Sequence, residues 1–196
     1  NIRAQQGLAA LNKYKQNKVT QIPPQEAVDQ LVNLYNQGQI AAVVEQAEVI
    51  TEQYPEATVV WNILGASRAQ IGKFDEAIEA YKKTISLKPD YAQAYNNIGN
   101  ALQGQGKLDE AIEVYKKCIL LKPDYAEAYN NMGVALREKG WLTDAIQAYH
   151  KALSLIPSFA GVCYNLGVAL KDQGKFEKAI EVYKKAISLK PDYADA

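Results

Sequence analysis

The sequence is poor in the side chains that most enzymes and metal sites use. It has one histidine, His150, and two cysteines, Cys118 and Cys163, which lie far apart in the chain. A metal site needs several ligands at close spacing and a disulfide framework needs more cysteines, so we expect both thiols to be free and buried. No glycine-rich phosphate loop follows a strand-like segment. These absences predict a protein that is not an enzyme and binds no metal and no cofactor.

An excess of one charge is also missing, because 22 Lys and Arg residues are matched by 22 Asp and Glu residues. Binding of nucleic acid through its phosphates needs a basic surplus, so we expect no nucleic-acid partner. No run approaches the ~18 apolar residues of a membrane span. The first residues, NIRAQQGLAALNKYK, lack the apolar core of a signal peptide. We therefore predict a cytoplasmic protein without membrane insertion.

What the sequence does contain is a period of 34 residues. Five of the seven prolines and two series of glycines keep this interval. They are Pro55, Pro89, Pro123, Pro157 and Pro191; Gly38, Gly72, Gly106, Gly140 and Gly174; and Gly65, Gly99, Gly133 and Gly167. A fixed period of this length is the mark of a stacked repeat array.

Each period contains two stretches with helical spacing of apolar residues. With Ala92 as position 1, Ile98 and Leu102 share one helix face, and Ile112 and Tyr115 share the face of a second helix. The glycine at position 15 interrupts the first helix, acidic residues favour the start of the second, and the proline at position 32 stops it. The glycine at position 8 indicates that the two helices cross closely. The fold predicted is all-α, an α-solenoid of stacked helical hairpins.

The period also predicts the division of the chain. We expect an N-terminal arm and linker at 1–23, a degenerate repeat at 24–57, repeats at 58–91, 92–125, 126–159 and 160–193, and the start of a further, truncated repeat at 194–196. The repeat at 24–57 is degenerate because it has Ala27, Leu31 and Val43 at positions 4, 8 and 20. The sequence ends within the pattern, so we expect it to be a fragment of a longer protein.

The residues at positions 4, 7, 8, 20, 24 and 32 resemble the tetratricopeptide repeat (TPR) motif. They are Trp61, Leu64, Gly65, Ala77, Tyr81 and Pro89; Tyr95, Ile98, Gly99, Ala111, Tyr115 and Pro123; Tyr129, Met132, Gly133, Ala145, Tyr149 and Pro157; and Cys163, Leu166, Gly167, Ala179, Tyr183 and Pro191. The resemblance is strong over 58–193 and weak over 24–57. It implies a right-handed α-solenoid, a superhelix whose concave groove binds an extended segment of a partner protein.

Two repeated features have structural explanations that we favour. Lysines at positions 25 and 26 follow a glutamate at position 22, so we expect Lys83 to pair with Glu79 four residues earlier, and likewise in later repeats, on a solvated face. The alternative is an anion-binding stripe. The tyrosines at position 24 are expected in the core, and the alternative is a stacking platform for nucleic-acid bases.

Asparagines recur on the first helix, on the side turned away from the second helix. Asn97, Asn131 and Asn165 occupy position 6, and Asn62, Asn96 and Asn130 occupy position 5. Asparagine is a mediocre helix former, so its repetition inside a helix needs a reason. One explanation is a solvated face or a brace between repeats. The other is a ladder of amides that binds the backbone of an extended peptide, with Gln93, Asn100, Arg137 and Lys171 at its edges.

The asparagine positions resemble those of the superhelical TPR region of the protein O-GlcNAc transferases, which implies binding of substrate polypeptides, although Ile63 would end the ladder at Asn97. We expect a protein-interaction scaffold with a protein or peptide partner. The alternative is a recruiting module of a larger glycosyltransferase or sulfotransferase. A receptor for chaperone tails needs basic groove residues that are missing. The face of Ile180, Tyr183 and Ile187 predicts self-association through the last repeat.

Overall fold

The computed structural model describes residues 22–191. The predicted truncated repeat at 194–196, and all but the last two residues of the predicted arm at 1–23, lie outside this range.

Residues 22–191 form ten helices and no strand, which confirms the all-α repeat fold. The handedness stays a prediction. The helices are α1 (Gln25–Asn36), α2 (Ile40–Gln53), α3 (Thr58–Gln70), α4 (Phe74–Leu87), α5 (Ala92–Gly104), α6 (Leu108–Leu121), α7 (Ala126–Glu138), α8 (Leu142–Leu155), α9 (Ala160–Asp172) and α10 (Phe176–Leu189).

The chain divides into two compact units, Asn1–Pro89 and Asp90–Ala196. In the described part of unit one, α1 packs on α2 and α3, and α3 packs on α2 and α4. In that of unit two, each helix from α5 to α10 contacts the next along the chain. The first helices of successive hairpins also touch, α5 with α7 and α7 with α9.

The turn inside each hairpin is a short Schellman motif, as the α5 to α6 connection illustrates. The Gly106 amide donates to the Gln103 carbonyl at 2.8 Å, and the Lys107 amide donates to the Leu102 carbonyl at 2.9 Å. Gly106 has φ +73°, which a residue with a Cβ rarely adopts, and the other four glycines of its series also have positive φ. The predicted end of the first helix is confirmed.

The second glycine series marks where the two helices of a hairpin touch. A Cβ added to Gly99 would lie 2.4 Å from Cε1 of Tyr115, and the other three glycines face their own tyrosines at 2.6 Å. Tyr115 and Tyr149 are fully buried. The predicted close crossing is therefore confirmed, and the core position is confirmed for Tyr81, Tyr115 and Tyr149, whereas Tyr183 is half-buried.

The two thiols and the surface lysines were also predicted from the sequence. Cys118 and Cys163 are free and buried, as expected. The lysine pairing was wrong in register, because Glu79 pairs with Lys82 at 2.8 Å, three residues later. Glu113 pairs with Lys116 in the same way at 2.7 Å. Both spacings bring side chains together on a helix surface. Among the helices of residues 22–191, none has the length and apolar character needed to cross a membrane.

Candidate functional site

The candidate site is built on the polar side chains of α5, α7 and α9, and we call this surface the first-helix face. At its centre, Nδ2 of Asn131 on α7 donates to Oδ1 of Asn96 at 3.2 Å and to Oδ1 of Asn100 at 3.0 Å. Both acceptors lie on α5, the first helix of the preceding hairpin. The amide of Asn131 thus links two successive hairpins.

The same link is repeated one hairpin further along. Nδ2 of Asn165 on α9 donates to Oδ1 of Asn130 at 2.9 Å, and Nδ2 of Asn130 donates to Oδ1 of Asn131 at 3.1 Å. Five asparagines therefore form a continuous chain of hydrogen bonds across three helices. We call it the amide network, and its members are Asn96, Asn100, Asn130, Asn131 and Asn165.

A second row of polar contacts joins the C-terminal ends of the same helices. Nε2 of Gln103 donates to Oε1 of Glu138 at 3.1 Å, and Nη1 of Arg137 lies 3.4 Å from Oδ2 of Asp172. Each pair joins one first helix to the next. The Arg137 pair is about one third exposed, so its charges partly neutralise each other at the edge of the face.

The amide network reaches the core through Tyr115. The hydroxyl of this buried tyrosine donates to Oδ1 of Asn100 at 2.6 Å, and Oε1 of Gln103 lies 3.2 Å away. Burial raises the pKa of Tyr115 well above its usual range, with a smaller contribution from the charge of Glu138. The hydroxyl is thus a neutral donor that fixes Asn100 in position.

The predicted site residues differ in how accessible they are. Asn96 is 5% exposed, so it serves packing and the network rather than direct contact with a ligand. Asn97 is half-buried on α5, and Asn62 is half-buried on α3 in unit one. Gln93 and Lys171 are exposed, and Oε1 of Gln93 lies 3.3 Å from the hydroxyl of Tyr91.

Reasoning from the sequence missed the partners of these asparagines. It placed position 6 where packing makes no demand for an amide, whereas Asn131 and Asn165 both bond to an asparagine of the preceding hairpin. The sequence does contain a signal for these bonds, because asparagine at position 5 of one repeat is followed 35 residues later by asparagine at position 6 of the next, and each bonded pair joins these two positions. The brace between repeats is thus present for these residues, and binding of a peptide by them stays a prediction.

The amide network is not accompanied by a metal-binding group in the described part of the chain. Among residues 22–191, no group of three or more His, Cys, Asp and Glu side chains is placed to hold a metal ion. The network itself is uncharged, so it can exchange hydrogen bonds but cannot transfer a proton near neutral pH. That the protein is not an enzyme stays a prediction.

Comparison with known families agrees with the fold. The family model for the TPR repeat matches residues 65–106, 99–140 and 133–174, and the model for the tetratricopeptide repeat matches residues 160–193. Together these matches span well over half of the chain. The chain belongs to the tetratricopeptide repeat family.

Individual proteins are also similar to this chain, at identities of 20% to 30%. The crystal structure of MamA superimposes with a TM-score of 0.72 at 26% identity, covering 84% of this chain and 96% of MamA. YrrB, a TPR protein with an unusual peptide-binding site, gives a TM-score of 0.66 at 20% identity, covering 85% of this chain and 86% of YrrB, and this likeness concerns the fold alone. A peroxisomal targeting signal receptor of Kluyveromyces lactis is 30% identical over 86 residues, which are 43% of this chain and 15% of the receptor.

Proposed function

We propose that this TPR protein is a protein-interaction scaffold whose first-helix face binds an extended segment of a partner protein through the amide network. Membership of the TPR family supports the general function. One matching relative is a receptor for a targeting signal, and one similar fold carries a peptide-binding site. The remaining support comes from the geometry of the asparagines.

The observation that carries the proposal is the spare hydrogen-bonding capacity of the network. A carboxamide has two N–H donors and an oxygen with two lone pairs. Asn165 uses one N–H toward Asn130, and its oxygen takes part in no bond among residues 22–191. Asn130 also uses only one N–H, toward Asn131. An extended peptide offers one backbone donor and one acceptor per residue, which matches these groups.

The spacing of the network fits a peptide that crosses successive first helices. Packed helices lie ~8–10 Å apart, and an extended chain advances ~3.3–3.6 Å per residue. Each hairpin would therefore contact about every third residue of the bound segment. The network would contact only the backbone of the peptide, so binding is tolerant of the peptide sequence. Gln93 and Lys171 are exposed at the edges of the face and would adjust the preference for particular peptide side chains.

Asn165→Ala tests the proposal with the least disturbance of the fold. Asn165 makes a single bond within the network, whereas Asn131 makes three, so replacing Asn131 would also weaken the contact between hairpins. A lost net hydrogen bond of ~0.5–1.5 kcal/mol corresponds to a rise in Kd of about two- to tenfold. Binding to a library of unstructured peptides is measured by fluorescence anisotropy.

The control is Asn33→Ala, an exposed asparagine on α1 that lies outside the network. It should leave Kd unchanged. The network is uncharged, so raising the salt concentration should also leave Kd nearly unchanged. If no library peptide binds, or if Asn165→Ala and Asn33→Ala bind every peptide equally well, the amide network only braces the hairpins and the proposal is wrong.

A further inference from the structure

The hairpin formed by α7 and α8 departs from its neighbours at several positions on the second-helix side, and two of these positions lie at one cavity. Position 16 is Trp141, where the repeats before and after it have lysine, and position 22 is Gln147, where they have glutamate. The corresponding residues are Lys73, Lys107 and Lys175, and Glu79, Glu113 and Glu181. One substitution adds a large aromatic ring, and the other removes a negative charge.

Both departures line the same cavity within unit two. A groove of about 320 Å³ lies between α6 and α8, with α7 as its floor, and Trp141 and Gln147 belong to its wall. Ile112 from α6, with Met132 and Leu136 from α7, provides an apolar interior. We call this cavity the Trp141 groove. Its volume lies at the lower end of the range for ligand sites, so it can hold one or two large side chains.

Trp141 is held in place although it is 47% exposed. Nζ of Lys139 lies 3.9 Å from the centroid of its ring, in a cation–π contact. Lys139 is itself fixed by an ion pair with Asp109 at the start of α6. An aromatic side chain that is exposed and already ordered loses little entropy on binding, and tryptophan is enriched among the residues that dominate interfaces.

The far end of the groove carries an uncompensated positive charge. Lys116 and Lys151 both line it, and Lys116 is paired with Glu113 at 2.7 Å. Lys151 makes no ion pair among residues 22–191, and Gln147, which stands where the neighbouring repeats have glutamate, brings no carboxylate to the lining. The one carboxylate in the lining, Asp144, lies in the first turn of α8, where the helix N-terminus offsets its charge.

The geometry points to a second docking site at the Trp141 groove, whose occupant is an extended segment of another protein with a large apolar side chain and a carboxylate. The apolar side chain packs on Trp141 and the groove interior, and the carboxylate pairs with Lys151. Trp141 and Lys151 are ten residues apart, or ~15 Å at 1.5 Å per helical residue. An extended segment covers that distance in about four or five residues.

Isothermal titration calorimetry of the full chain with three capped synthetic peptides tests this site. The first peptide carries phenylalanine and a glutamate four residues later, the second has lysine in place of the glutamate, and the third has alanine in place of the phenylalanine. The first should bind, and the other two should bind more weakly. Trp141→Lys restores the residue of neighbouring repeats, so it should fold, and it should raise Kd about 30-fold.

Two matched variants separate charge from packing. Gln147→Glu, which also restores the neighbouring pattern, adds to the groove lining a carboxylate that repels the glutamate of the peptide, and it should raise Kd about two- to fivefold. Lys185→Gln removes the lysine at the same position of the last hairpin and should change nothing. Asn165→Ala should leave the ratio of Kd between the first and second peptides unchanged, because the amide network would contact the peptide backbone, which the two peptides share.

Several results would overturn the assignment. Equal binding of the glutamate and lysine peptides, no effect of Trp141→Lys, or no binding of the first peptide would each show that the groove is not this site. Sedimentation could instead show a self-associating chain that becomes monomeric on Trp141→Lys. If no peptide binds and the chain self-associates in this way, the groove is a contact between copies of the chain and the proposal is wrong.

Discussion

The two units place different side chains at the same repeat positions. At position 5 of one hairpin and position 6 of the next, unit one has Val28 and Ile63, which both pack against its apolar core cluster. Unit two has Asn96 and Asn131 at these positions, and they share a hydrogen bond. The contact between successive first helices is thus apolar in one unit and polar in the other. Both members of a pair have the same polarity, so the residue at one position can be explained only when its partner is considered as well.

The sizes of the residues at positions 8 and 24 also depend on each other. In unit two Gly99 makes room for the fully buried Tyr115. In the first hairpin of unit one the sizes are exchanged, because position 8 is Leu31 and position 24 is Ala47, both fully buried in one cluster. The repeat that looked degenerate in sequence therefore keeps a large residue opposite a small one. Total volume is maintained while the motif residues are lost.

The largest effect should come from transferring the sizes of unit one to unit two. Tyr115→Ala alone should destabilise α5 and α6 by about 3–5 kcal/mol, because it leaves a large cavity. Gly99→Leu alone should cost about 3 kcal/mol, because the buried ring cannot move aside. The double variant copies Leu31 and Ala47 and should recover at least half of the summed loss. Hydrogen exchange of the α5 and α6 amides measures each change.

A matched control for this exchange lies in the last hairpin. Gly167 faces Tyr183, which is only half-buried and can rotate toward solvent. Gly167→Leu should therefore cost less than Gly99→Leu. Equal costs at the two sites, or a double variant no more stable than Tyr115→Ala, would show that size complementarity does not link positions 8 and 24.

Alkaline pH should weaken unit two more than unit one. Burial raises the pKa of Cys118 to about 11 and that of Tyr149 to about 12, and it also raises the pKa of Tyr115. In unit one, Tyr81 is the residue among 22–89 whose pKa is clearly raised. A raised pKa means that the folded state keeps a proton which the unfolded state releases. Stability is therefore full below the unfolded pKa and falls as pH rises toward the folded pKa.

Cys118 provides the first part of that loss, between about pH 8.5 and pH 11. The slope should be about 1.4 kcal/mol per pH unit in this window, measured by urea unfolding or hydrogen exchange of α6. Cys118→Ala copies Ala152 at the same position of the next hairpin, and it should remove most of the slope below about pH 10, leaving the share of Cys163, whose pKa is also raised by burial. An unchanged slope in this variant would contradict the assignment.

A structural feature of this chain could be predicted from the sequence when it depends on the residue at a single repeat position. The helices, their ends at the glycine of positive φ and the Gly99 crossing were all predicted, because each depends on one position in the repeat. The partners of Asn131 were not, because they depend on two positions in different repeats. The Trp141 groove was not predicted for a related reason. Its lining comes from three helices, and taken singly Trp141 and Gln147 looked like ordinary variation between repeats.

The next largest effect should come from breaking one partner of the asparagine pair. Asn131→Ala removes the donor to Asn96, whose buried oxygen then has one bond fewer, and this should cost about 1–2 kcal/mol after the gain in helix propensity. Changing both partners, Asn96→Val with Asn131→Ile, copies Val28 and Ile63 of unit one. The double variant should recover most of the loss in urea unfolding. If it is less stable than Asn131→Ala, the two kinds of contact are not interchangeable.

The smallest effect should come from removing single tyrosine hydroxyls. The Tyr115 hydroxyl donates to Asn100 at 2.6 Å, so Tyr115→Phe should cost about 1 kcal/mol. In unit one the residue that corresponds to Asn100 is Ala66, which offers no side-chain acceptor. Tyr81→Phe should therefore destabilise the protein by less than about 0.5 kcal/mol, which is half the cost expected for Tyr115→Phe.

Tyr149→Phe extends this comparison within unit two. Among residues 22–191 its buried hydroxyl has no hydrogen-bond partner of good geometry, although Arg137 lies close enough to lower the pKa slightly against the effect of burial. Removing an unsatisfied buried hydroxyl should leave stability unchanged or raise it. Gln103 also accepts from the Tyr115 hydroxyl, so the double-mutant cycle removes both acceptors: in a background of Asn100→Ala with Gln103→Ala, Tyr115→Phe should cost nothing further. If it still costs about 1 kcal/mol there, the hydroxyl acts through another group, and the difference between the units does not arise from these two acceptors.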